Sequence, residues 1–276
     1  MKKAKVLYVS QEIYPYMGEN TMSNIARFLP QGIQERGKEI RTFMPRYGSI
    51  NEIRHGLHEV IRLSGINLII SNDDHPLIIK VASIQRARMQ VYFIDNEDYF
   101  YRKATFNDEQ GKFFEDNDER AIFFCRGVIE TVRKLSWVPD IIHCQGWITS
   151  LFPFYVKNAC KEDPLFENAK VVYSIYGDKF EGSLNKNFAK KAVWESAVEE
   201  DLAMVKTAPT FNNLTKLAVQ WSDAVVKVDP SVDPDVAKFI KKSGKPVLEH
   251  SEENYMDAYS DFYDEVLATD EVLVDE

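Results

Sequence analysis

The sequence has 276 residues, 34 of them Lys or Arg and 43 Asp or Glu, for a formal net charge of −9. Hydrophobic residues make up 45%, enough for a globular core and too many for wholesale disorder, and the length fits one large domain or two small ones. The acidity is concentrated in residues 249–276, which hold 11 acidic residues and no Lys or Arg; residues 1–248 carry a net +2 and no clustered positive field, which argues against a nucleic-acid-binding surface.

The apolar run at residues 6–9 is too short for the core of a signal peptide, and no stretch approaches a membrane-spanning length. Cys125, Cys144 and Cys160 form no C-x-x-C pair and read as small hydrophobes in a reducing compartment. The expectation is a cytoplasmic protein with no membrane contact.

Residues 5–10 read as a buried strand, followed by a loop to about residue 19. Ile25, Phe28, Leu29 and Ile33 recur at helical spacing within residues 24–36, and Gly37 stops that helix. Residues 40–44 form the next strand, completing a β-loop-α-β unit that opens a parallel sheet. Strands are predicted at 60–63, 77–82 and 89–94, a long amphipathic helix at 118–135, and buried strands at 140–143 and 170–174. A helix over 147–157 lies between those two strands. A helix at 214–221 and a strand at 224–228 follow. In a doubly wound sheet of this kind ligands sit at the carboxyl ends of the strands, so the loops after Ser10, Ile142 and Ile175 are the ones to examine. Near the end, Tyr255, Tyr259, Phe262, Tyr263, Val266 and Leu267 fall on one face of a helix expected over 253–268, docked on the body with its acidic face in water.

Several segments resemble the N-terminal domain of bacterial glycogen synthases and plant starch synthases, enzymes with two Rossmann-like domains in the GT-B arrangement. Val6 to Pro15 is similar to the family's opening strand and S-E-x-x-P turn, in which Glu12 is retained. Phe28-Leu29-Pro30, Arg36-Gly37 and Met44-Pro45-Arg46-Tyr47 resemble A-L-P…R-G…L-P-x-Y. Pro139-Asp140-Ile141-Ile142-His143 with Trp147 resembles P-D-V-V-H-x-H-D-W. Val172 to Ile175 resembles the strand before T-x-H-N. Lys216, Ala218, Ser222-Asp223 and Val228-Asp229-Pro230-Ser231 resemble K-x-x-x-x-x-A-D…V-S-P-T. Order and spacing match across about residues 5–240. The implied fold is an α/β, Rossmann-like doubly wound parallel sheet, the N-terminal half of a GT-B glycosyltransferase, over residues 1–248, with 249–276 as an acidic amphipathic helix packed on it.

The departures fall on the chemistry. Where the resemblance implies K-T-G-G-L-x-D, Gly18 stands in the Lys position, Asn20 and Thr21 replace the glycines, Asn24 replaces the Asp, and Glu19 adds a negative charge where a diphosphate would lie. Gln145-Gly146 replace the H-D pair before Trp147. Tyr176-Gly177 replace the catalytic-site His-Asn, and a Tyr differs from a His in both shape and donor placement. The family's second domain, which supplies most of the donor nucleotide site, has no counterpart in these residues.

The resemblance therefore implies a glycogen-synthase-like protein lacking independent catalysis, which binds α-glucan or a glycogen-metabolism enzyme. Two alternatives stay open: the acceptor-side half of a glucosyltransferase that works with a separate donor-domain chain, and an interaction module with no carbohydrate role. No catalytic residue, cofactor or metal is assigned. The candidate ligand contacts are Glu12, Asn20, Asn24, His143, Gln145, Trp147 and Tyr176. His55 and His58 have no third ligand nearby and read as a solvated loop; Lys238, Lys241 and Lys242 read as a solvated helix face.

Overall fold

The computed structural model describes residues 3–269 and contains a ten-stranded sheet with helices on both faces. In chain order the principal elements are β1 (Lys5–Ser10), α1 (Thr21–Glu35), β2 (Glu39–Pro45), β3 (His58–Glu59), β4 (Ile66–Ile70), β5 (Asp73–Ile84), β6 (Met89–Asp95), α2 (Asn117–Leu135), β7 (Ile141–Gln145), β8 (Lys170–Ile175), α3 (Phe211–Trp221), β9 (Ala224–Lys227), α4 (Pro234–Ser243), β10 (Val247–Glu249) and α5 (Tyr255–Ala268). The strand order is β10-β9-β8-β7-β1-β2-β6-β5-β3, with β4 paired to β5.

β1 lies at the centre because Val6, Leu7, Tyr8 and Val9 form an unbroken apolar run, as a strand covered on both faces requires. It pairs in parallel with β2 and β7, and the parallel run extends from β10 to β6. The sheet is mixed rather than wholly parallel, since β5 runs antiparallel to β6, β4 and β3. The strand expected at 60–63 is a turn. The Leu63 and Ser64 N–H groups both donate to the Val60 carbonyl, and Gly65 follows at φ +87°. Pairing falls instead on β3 and β4 on either side. Ser71 and Asn72, both at positive φ, close the β4–β5 hairpin, as the right-handed strand twist favours.

The helix expected over 147–157 is broken into a 3₁₀ turn at Trp147–Thr149, an α turn at Phe152–Phe154 and a π segment at Tyr155–Ala159. Pro153 has no N–H to donate to the preceding turn, and further on the Cys160 N–H reaches the Tyr155 carbonyl in the wider π spacing. α2 is buried along most of its length, with Glu130, Arg133 and Lys134 on its more open edge. β4 and the short helix Phe188–Ala192 pack against it as well as the sheet.

Two cores flank the sheet. One holds α2 and α3; the other joins β1, β7, β8, β9 and α1 to Tyr259, Phe262, Tyr263 and Val266 of α5. α5 also meets α1 directly. The Met256 side chain lies where a side chain at Gly32 would project, and Arg36–Asp257 (2.6 Å) and Lys38–Asp264 (2.9 Å) pair at the edge. The acidic residues 270–276 lie outside the described residues. Among the described residues no helix is long and apolar enough to cross a membrane.

Candidate functional site

The carboxyl ends of β1, β8 and β9 open onto one crevice. After β1 the chain turns at Gln11, whose N–H donates to the Gln145 carbonyl at 2.8 Å, and reaches α1 through Asn20. Asn20 caps α1. Its side-chain oxygen accepts the Ser23 N–H at 2.8 Å, and its own N–H donates to the Ser23 hydroxyl at 2.9 Å. The Asn20 amide, held in this way, donates to Glu12 at 2.9 Å. Tyr176, Gly177 and Asp178 follow β8, and Asp229 follows β9.

These loops enclose a cavity of about 520 Å³ lined by Glu12, Asn20, Thr21, Met22, Tyr176, Gly177, Asp178, Val228, Asp229 and Pro230. Three of these residues are acidic and none is Lys or Arg. Glu12 and Asp178 also line a neighbouring cavity of about 630 Å³, whose other walls include Phe106, Phe113, Trp147 and Phe180. Phe113 stacks on Phe180 with ring centroids 4.8 Å apart, and Trp147 packs edgewise on Phe180 at 5.0 Å. Lys179 is the single cation among the residues lining this second cavity.

The electrostatics follow first from burial. Burial raises the Asp178 carboxyl to about 7; the Trp147 N–H, which it accepts at 3.1 Å, and Gln11 oppose that rise, while the nearby Glu12 adds to it. Burial raises Glu12 as well, opposed by the Asn20 hydrogen bond. Asp229 is shifted down by the hydroxyl and N–H of Ser231. Gly177 keeps the mouth open: a methyl group there would meet the Asp229 carboxylate.

Of the sequence-derived candidates, Glu12, Asn20 and Tyr176 line the first cavity, and Glu12 and Trp147 the second. Asn24 is on α1, with its amide 3.3 Å from Glu19, outside both linings. Gln145 is fully buried and accepts the Ser10 hydroxyl. His143 is fully buried beneath α5, with Nδ1 2.6 Å from the Tyr263 hydroxyl and Nε2 2.6 Å from the Ser174 hydroxyl. Asp178, Phe113 and Phe180 were not among the sequence-derived residues, and Asp229 entered only as part of a family motif. The position after β8 was visible, but its acidic partner Glu12 lies on another loop. No group of three or more His, Cys, Asp or Glu among the described residues is arranged to hold a metal ion.

A mostly parallel sheet wound on both faces, with its crevice at the carboxyl ends of β1, β8 and β9, is a Rossmann-like fold of the kind found in the N-terminal half of GT-B glycosyltransferases. The chain belongs to the starch synthase catalytic domain family, whose model matches residues 5–248. It is 38% identical over 211 residues to the glycogen synthase of Chlorobium luteolum, covering 76% of this chain and 42% of that one. To the glycogen synthase of Chlorobium phaeobacteroides it is 38% identical over 229 residues, 80% and 47% of the two chains. It thus spans less than half the length of these relatives. The catalytic domain of starch synthase IV from Arabidopsis thaliana, bound to ADP and acarbose, superimposes with a TM-score of 0.68 at 16% identity, over 90% of this chain and 51% of that one.

Proposed function

We propose that this chain is a glycogen- or starch-synthase-like module that binds α-glucan in the Glu12–Asp178 crevice and does not itself transfer glucose. The observation that carries this reading is the lining of the first cavity: three acidic side chains and no Lys or Arg. Glucosyl transfer from a sugar nucleotide needs positive charge where the diphosphate departs, and losing even one such contact typically lowers rate by about 10²–10³. Here Glu12, Asp178 and Asp229 would face the diphosphate instead. A neutral polyol has the opposite preference. Its hydroxyls donate to carboxylates in charge-assisted bonds, and its C–H faces suit the Phe113 and Phe180 rings.

This reading puts the protein in the cytoplasm, where its three unpaired, buried cysteines stay reduced, as a partner of glycogen-metabolism enzymes. The test combines calorimetry with maltoheptaose and a transfer assay with ADP-glucose and UDP-glucose on short maltodextrins, alone and with cell extract. The expected result is saturable glucan binding, weakened in Glu12→Gln and Asp178→Ala, and no turnover. Turnover by the purified chain would overturn the reading. Turnover only with extract would favour an acceptor-side half of a two-chain enzyme, and absent glucan binding an interaction module.

A further inference from the structure

A third cavity, of about 410 Å³, lies between the β4–β5 hairpin, α2 and the short helix Phe188–Ala192, and shares no lining residue with the crevice. Arg126 of α2 lines it and is 2% exposed. The Arg126 guanidinium donates to three main-chain carbonyls, those of Ile69 (2.8 Å), Lys191 (3.0 Å) and Val193 (3.0 Å). It also lies over the rings of Tyr155 and Trp194. Among the described residues no carboxylate pairs with it, and its buried Nε–H has no acceptor. Carbonyl dipoles and ring faces ease the burial of a cation but supply no counter-charge.

The remaining charges on the lining do not cancel it. Lys191 pairs with both Asp118 (2.8 Å) and Glu119 (2.7 Å), two acids against one lysine, so this triad carries one net negative charge. Lys190, on the exposed rim, has no ion pair among the described residues. Among the described residues no Asp or Glu lines the cavity: Asp73 and Asp74, which follow the hairpin turn in sequence, are not part of its walls, and Glu119 reaches it only through the Ser71 hydroxyl, which donates to it at 3.0 Å. With Arg126 and Lys190 set against that triad, the cavity and its immediate ion-pair partners carry a net charge of +1. Asn72 adds an amide donor, and the partly exposed Ile69 and Val193 side chains form apolar walls.

We propose that this cavity binds a phosphate monoester, its dianion set against Arg126 and Lys190 and its organic part between Ile69 and Val193. A phosphate suits the net positive cavity and offers several acceptor oxygens to the Lys190 ammonium, the Asn72 amide and the unpartnered Arg126 Nε–H, which a carboxylate does less well. The volume falls within the range of about 300–1,000 Å³ usual for small-molecule sites, larger than inorganic phosphate alone needs. The crevice at the sheet's carboxyl end is acidic and this cavity basic, so the two sites would take ligands of opposite electrostatic character.

The test is NMR titration of the ¹⁵N-labelled full chain with inorganic phosphate, glucose 1-phosphate and glucose at constant ionic strength. The amides of Asn72, Lys190 and Val193 should shift saturably with both phosphates, more tightly with the ester, and not with glucose. Lys190 makes no ion pair among the described residues, so Lys190→Glu should fold normally and weaken binding by about tenfold or more. Lys190→Arg should stay within about threefold, and Lys241→Glu on α4 should match the parent. Shifts that glucose reproduces, that are non-saturating, or that survive Lys190→Glu would overturn the proposal. Equal affinity for inorganic phosphate would overturn the assignment of an ester.

Discussion

The hydroxyl of Tyr263 lies 2.6 Å from Nδ1 of His143, joining two residues 120 positions apart in the buried layer between α5 and the sheet. Nε2 of the same ring meets the Ser174 hydroxyl, so both nitrogens are engaged, and Tyr263 lies 3.3 Å from the Tyr8 hydroxyl on β1. The last described helix is thus tied to the three central strands by one polar chain inside an apolar layer. Removing a partner there leaves a buried group unsatisfied. Tyr263→Phe should destabilise by about 1–3 kcal/mol, and Tyr263→Ala, which also opens a cavity, by about 3–5 kcal/mol. Urea denaturation of the purified variants reads both values.

The same histidine predicts an acid limb in stability. Burial lowers His143 from 6.5 to about 3, so the folded state keeps it neutral while the unfolded chain takes up a proton. Its contribution is fully present above pH 6.5 and is lost progressively as pH falls toward 3. His143→Gln cannot gain that proton. Its unfolding free energy should fall less steeply than the parent's between pH 6.5 and 4, whatever its absolute value. Parallel slopes would show that the ring is protonated without penalty.

Asp178 predicts the opposite sign. Its carboxyl, raised from 3.8 to about 7, favours the folded state when protonated and loses that contribution as pH rises through 7. Asp178→Asn keeps an acceptor for the Trp147 N–H and removes the charge. It should stabilise the protein relative to the parent at pH 8 and by much less at pH 4.5. Thermal melts at the two pH values are sufficient; a gain that is the same at both would place the carboxylate in water.

The α1–α5 contact predicts a steric effect at a glycine. A side chain at Gly32 would collide with Met256, which can swing aside for a methyl group but not for a branched side chain. Gly32→Val should lower the melting temperature toward that of a chain truncated after Glu249, and both should aggregate, since each uncovers the apolar layer formed by Tyr8, Val172 and Leu29. Light scattering during melting is the measurement. A monomeric truncation with unchanged melting would mean that α5 adds nothing to the body.

The parts of the fold that were legible in sequence are those fixed by local pattern. β1 is a continuous apolar run because both its faces are covered, and α5 carries an aromatic stripe at helical spacing because only one of its faces is. The parts that were not legible depend on what comes from elsewhere in the chain. Residues 60–63 look strand-like, yet Gly65 and the hairpin geometry of β4 and β5 curl them into a turn. The segment after Trp147 has helical spacing, and Pro153 breaks its bonding pattern. In the site, Glu12 was visible because it stands in a recognisable turn. Asp178 acquires meaning only when the parallel sheet lines up the ends of β1 and β8, 160-odd residues apart. His143 and Tyr176 were visible as unusual residues at strand ends. That α5 folds over His143 depends on a segment whose own sequence names no partner.

The central position of β1 also bears on the order in which the molecule is made. Ser10 hydrogen-bonds to Gln145, 135 residues later, so the first strand emerges from the ribosome long before its β7 neighbour exists. At about 5–20 residues per second, that wait is roughly 7–27 s, followed by a further interval before α5 can cover the other face. During this time a hydrophobic strand has one free edge and one bare side, the form of nascent chain that aggregates or is held by chaperones. Expression yield should therefore depend on chaperone capacity and growth temperature more strongly than the equilibrium stability of the finished fold would suggest.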